Sequence, residues 1–137
     1  MRRAALVLPL VLTVASTVEA GPARQCVEQS EALVGQRARL VDKDFAAPRR
    51  LTSTPFDYPT RSGATKASGV WVGEALVDTA GKVRQVWTIR GFHFEPAWPE
   101  FDDAITAGIR SWTYEPAMVE GVAVPVCVTV SVNITWK

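Results

Sequence analysis

The stretch VAVPVCVTVSVNITW, residues 122–136, decides the fold of this 137-residue chain. Its even positions, Val122, Val124, Val126, Val128, Val130, Val132, Ile134 and Trp136, are all apolar. Its odd positions, Ala123, Pro125, Cys127, Thr129, Ser131, Asn133 and Thr135, are small or polar. Side chains alternate faces along a strand, so the pattern predicts one long β-strand with an apolar face and a wet face. A strand late in a chain often lies at a sheet edge, and an edge offers unpaired backbone groups to another chain. Strand addition is therefore the first function to test. Pro125 lacks a donor, which moves useful pairing to Val126 and beyond.

Upstream of this strand the pattern changes from period 2 to period 3.6. Phe101, Ala104, Ile105, Gly108, Ile109 and Trp112 recur at helical spacing. Pro99 suits the first turn, Glu100, Asp102 and Asp103 suit the positive end of the helix dipole, and Arg110 suits the other end. Asp102 and Asp103 are neighbours on a helix start, so their side chains diverge and read as dipole charge. Before the helix, Val70 to Val77 and Val83 to Ile89 read as strands joined by the Asp78-Thr79-Ala80-Gly81 hairpin. Between hairpin and helix lies an aromatic loop, Phe92 to Trp98, which either caps the sheet or anchors a partner. Val27 to Val41 reads as a short helical or irregular segment, Thr52 to Pro59 as extended, and Ser62 to Ala67 as a helical turn or two. The order strand, strand, helix, strand predicts an α+β two-layer sandwich. Its sheet has three antiparallel strands with the last strand at an edge and the helix on one face.

The first twenty residues read as a signal peptide. Arg2 and Arg3 form a basic start, Ala4 to Ala15 an apolar run, and Val18-Glu19-Ala20 a small-x-small cleavage site. Residues 21–50 form an N-terminal extension and residues 51–137 the domain. Export places the chain in the periplasm; an uncleaved inner-membrane anchor is the alternative. Without Arg2, Arg3 and Glu19 the rest carries 13 basic and 13 acidic residues, so net charge is near zero. A basic footprint for nucleic acid is absent. Two cysteines, Cys26 and Cys127, in an exported chain favour one disulfide over two free thiols. Such a bond could contribute ~4–5 kcal/mol by chain entropy.

No catalytic constellation is legible. The single histidine, His93, sits between Phe92 and Phe94, away from any nucleophile in sequence. The cysteine spacing fits no zinc pattern, and there is no phosphate-binding glycine loop. The expectation is a protein that is not an enzyme, needs no metal or cofactor and takes no small-molecule substrate.

Taken together, several markers resemble the C-terminal domain of the TonB family, from about Pro48 to Trp136. They are Tyr58-Pro59, Gly69 before a strand, Asp78…Gly81-Lys82-Val83, and Phe101-Asp102-Asp103-Ala104 opening the helix. Arg110-Ser111-Trp112-Thr113-Tyr114-Glu115-Pro116-Ala117, Gly121 and the valine-rich strand follow. Thr54-Pro55-Phe56-Asp57 stands where transducers often carry glutamine. The resemblance implies a module that pairs its last strand with a short peptide of an outer-membrane TonB-dependent receptor, in energised transmembrane transport. The expected partner-strand residues are Val126, Cys127, Val128, Thr129, Val130, Ser131 and Val132. The competing expectation is a structural or self-associating domain, such as a homodimer formed edge to edge. In that case residues 21–50 and a Cys26–Cys127 bond could cover the sheet.

Overall fold

A computed structural model describes residues 22–60 and 67–136. The expected signal peptide, its cleavage site and the helical turn begun at Ser62 fall outside those residues, apart from Ala67. The elements in chain order are α1 (Pro22–Val34), β1 (Arg39–Leu40), β2 (Arg50–Thr52), β3 (Ala67–Val77), β4 (Val83–Arg90), α2 (Pro99–Arg110), β5 (Thr113–Tyr114), β6 (Ala117–Val119), β7 (Val122–Val124) and β8 (Val126–Trp136).

The hairpin β3–β4 and the strand β8 form the predicted antiparallel core of the sheet, with β8 beside β3. Gly81 sits in the hairpin at φ +81°, a conformation that costs other residues a steric clash. The β3–β8 ladder runs unbroken from Ala67↔Trp136 to Val77↔Val126. Its register puts Trp71, Gly73 and Ala75 on the same face as Val132, Val130 and Val128. This is the apolar face read from the even positions, and α2 covers it. Phe101, Ile105 and Ile109, spaced by four, are fully buried against it. Together with Trp71, Val86, Trp112 and Tyr114 they make the main core.

The aromatic loop resolves in favour of capping. Phe92, Phe94 and Trp98 all lie against the Phe101 ring, with centroids 5.4, 5.0 and 5.3 Å away. Tyr58 stacks on the same ring at 4.9 Å, and Phe56 meets Trp112 at 5.7 Å. Burial of Trp98 at 9% exposure leaves its ring unavailable as a partner anchor. Asp102 has a second task beside dipole charge: its Oδ1 accepts the Phe92 N–H at 3.1 Å, tying the loop to the helix.

Three expectations need correction. The alternating run is two strands, not one, because Pro125 interrupts it: β7 pairs with β6 in a separate hairpin, and β8 starts at Val126. The missing proline N–H explains the break. The sheet is four-stranded and mixed rather than three-stranded and antiparallel, in the order β1-β8-β3-β4, because β1 adds to β8 in parallel. Helices also lie on both faces, so the architecture is α+β with a third layer over part of the sheet.

That third layer is α1. Its stripe Cys26, Val27, Ser30 is buried, with Val34 partly so. It packs on Leu76, Cys127 and Trp87, on the face opposite α2. The helix ends at Gly35, whose φ of +75° and N–H bond to the Glu31 carbonyl (2.9 Å) form a left-handed cap. Ser30 Oγ, fully buried, donates to the Val27 carbonyl (2.6 Å) and accepts the Ala38 N–H (2.8 Å). That pair of bonds turns the chain into β1. A disulfide joins Cys26 to Cys127, with Cα atoms 6.1 Å apart across a sequence separation of 101. The thiol alternative is thereby excluded, and helix and strand are covalently joined.

Candidate functional site

Along an antiparallel strand each residue aims its N–H and C=O to one side, and the side alternates. The Arg39 N–H donates to the Pro125 carbonyl at 2.9 Å, so Pro125 faces away from β3. The unbroken register carries that alternation along β8. Cys127, Thr129, Ser131 and Asn133 therefore turn their backbone groups outward, and Val126, Val128, Val130 and Val132 turn theirs toward β3.

The seven residues expected to pair with a partner thus divide into two groups. Val126 and Cys127 are already opposite Arg39 and Leu40 of β1. Beyond them, no described strand pairs with the outer side of Val128, Thr129, Val130, Ser131 and Val132. Thr129, Ser131 and Asn133 also have exposed side chains, whereas Val128, Val130 and Val132 are buried under α2. Asn133 extends the open edge beyond the expected residues, since the same alternation runs through it.

One wall beside this edge comes from elements that sequence patterning did not connect to it. A cleft of about 390 Å³ is lined by Ser131, Val132 and Asn133 on the strand side, and by Arg50, Phe56 and Trp112 among others on the opposite side. Strand β2 pairs with β5 and brings Arg50 onto the Trp112 indole, guanidinium carbon 4.2 Å from the ring centroid. The Trp112 Nε1–H reaches the Thr54 carbonyl at 3.3 Å and holds the Ser53–Phe56 stretch at the cleft. Nearby, Thr52 and Thr113 share a 2.7 Å hydroxyl bond, and Arg49 pairs with Glu115. Burial pushes the Tyr114 phenol up in pKa, opposed by the charge and hydrogen bond of Arg50. The cleft is therefore built on fixed side chains, with a cation at its rim. No periodicity in the Arg50–Thr54 stretch could have announced this; it depends on a long-range pairing of two short strands.

Two other ionisable side chains, His93 and Glu74, are not among the residues lining the cleft. His93 Nε2 lies 3.1 Å from Glu95 Oε1, with both side chains over four-fifths exposed. Glu74 is buried on the α1 face at 2% exposure, and burial raises its carboxyl pKa. Its Oε2 has no hydrogen-bond partner, and a carboxylate oxygen of Glu74 and the sulfurs of Cys26 and Cys127 lie within 4.8 Å of one another. The two sulfurs are spent in the disulfide, so this is no metal centre.

Among the described residues no helix is long and apolar enough to cross a membrane. No curated protein matches the chain. Residues 54–137 match the family model described as Gram-negative bacterial TonB protein C-terminal. The match spans more than half the chain, from the cleft segment through β8, and leaves out α1, β1, β2 and Cys26. This is a family of envelope-associated domains that interact with outer-membrane receptors in energy transduction, and the chain belongs to it.

Proposed function

We propose that this protein is a periplasmic binding module that engages an outer-membrane TonB-dependent receptor by adding a receptor strand to β8. The observation that carries the reading is β1. The outer edge of β8 takes a strand from the same chain at Val126–Cys127, and among the described residues the rest of that edge, Thr129 to Asn133, is left without one. Backbone bonds would supply affinity, and side chains reaching the cleft of Arg50, Phe56 and Trp112 would supply choice. The role is one of binding rather than catalysis.

The test is capture of a receptor from outer-membrane extract by the exported domain, followed by titration of that receptor's extended periplasmic peptide. Thr129→Pro removes one outward donor and disturbs the incoming strand while leaving the β3 ladder in place. Binding should weaken by at least about tenfold, the equivalent of roughly 1.4 kcal/mol. Unchanged affinity in a folded variant would reject strand addition at β8.

A second reading, self-association, draws on the other end of the sheet order, where β4 has no strand beyond it among the described residues. Two such edges could pair in a homodimer. Sedimentation across a concentration series decides it, since a strict monomer removes the dimer.

A further inference from the structure

Besides one covalent bond, the segment that closes the start of the β8 edge is held by a short set of contacts: the Arg39 and Ala38 backbone bonds to Pro125 and Ser30, and the partly buried Val41 and Phe45 on the main core. β1 is two residues long, and both its side chains are exposed. The small apolar cluster beneath α1 comprises Cys26, Val27, Ala38, Leu76 and Cys127, with Val34 and Trp87 at its margin. A helix of 13 residues is marginal by itself in water. Against docking stands Glu74, which α1 buries with one carboxylate oxygen unsatisfied. An unpaired buried polar group offsets what one or two of those small side chains gain by burial. The Cys26–Cys127 bond keeps α1 at the strand against this opposition.

We propose that α1 and β1 form a strap latched by the Cys26–Cys127 disulfide, and that reduction of this bond by a dithiol donor releases β1 and lengthens the edge of β8 open to a partner. The donor's two thiols supply two electrons and two protons. The S–S bond breaks, Cys26 and Cys127 become thiols, and the donor closes its own disulfide. Both cysteines are buried, at 0% and 1% exposure, so exchange waits on local opening of α1. With the latch closed, pairing begins at Thr129. Once it is open, the outward groups of Pro125 and Cys127 join the edge. The functional consequence rests on the strand-addition reading above; the latch itself does not.

The test is amide hydrogen exchange of the whole exported protein, without a partner, before and after reduction with dithiothreitol. A Cys26→Ser/Cys127→Ser variant serves as a permanently open control. In the oxidised protein the Arg39 and Ala75 amides should both be protected. After reduction, and in the variant, Arg39 should exchange within about tenfold of the unprotected rate while Ala75 stays protected by at least about 1,000-fold. Two results overturn the latch. One is Arg39 remaining protected after reduction, because the strap then holds without the bond. The other is Ala75 losing protection together with Arg39, because the bond then supports the whole fold. Thr129→Pro tests receptor pairing separately, so failure of one idea leaves the other readable.

Discussion

The two halves of β8 have the same alternating sequence and opposite surroundings. From Val126 to Val128 the strand is walled in: β3 on one edge, β1 on the other at Val126–Cys127, α2 over one face and α1 over the other. From Thr129 onward it keeps β3 and the α2-side core but has neither β1 nor α1. Alternation reports which face is apolar; it does not report whether an edge is occupied. That depends on where the rest of the chain goes, and here a two-residue strand and one disulfide make the difference.

The strongest way to break the comparison is to remove what both halves share. Phe101→Ala empties the site on which four other aromatic rings converge. It should cost about 3–5 kcal/mol in urea unfolding, with both halves of β8 affected alike. Removing the disulfide by Cys26→Ser/Cys127→Ser should cost about 2–4 kcal/mol in the same measurement, with its local effect confined to the walled half. A paired substitution sharpens the contrast between the halves. Val126→Ala, at a residue with no exposed surface, should lose about 2 kcal/mol. Ser131→Ala, on the open side, should stay within about 0.5 kcal/mol of the parent.

The smallest effect concerns pH. Burial raises the Glu74 carboxyl pKa in the folded chain, so the folded state holds a proton that the unfolded state releases. Stability from this group is present below the ordinary carboxylate pKa. It is lost as pH rises from there through the raised value. Glu74→Gln should flatten that part of the profile and leave the variant the more stable above it. A profile identical to the parent's would show that the Glu74 carboxyl ionises alike in the folded and unfolded chain, and would contradict the raised pKa.

Much of this arrangement is legible in the residues. The hairpin around Gly81, the Phe101–Ile105–Ile109 stripe and the placing of β8 beside β3 follow from periodicity and turn chemistry. The aromatic loop has two open roles in the sequence, capping or anchoring, and only its packing on Phe101 decides between them. The break at Pro125 is half legible: the missing donor is plain in the sequence, but the split into β7 and β8 depends on β6 pairing with β7. What escaped is non-local and short. Arg39 and Leu40 carry no strand signature, and β1 depends on Ser30, Gly35, the disulfide and the packing of Val41 and Phe45 to reach β8. The Arg50–Trp112 stack likewise requires β2 and β5 to meet, and neither three nor two residues form a period.

The claim that the open half of β8 receives a partner strand is tested most directly by amide exchange along that strand. The probe is the extended periplasmic peptide of a captured outer-membrane receptor. Thr129, Ser131 and Asn133 should exchange readily in the free domain and slow by at least about tenfold on binding. Val130 and Val132, already bonded to β3, should not change. Protection that appears along β4 instead, or binding that leaves the three odd amides unprotected, would contradict the account.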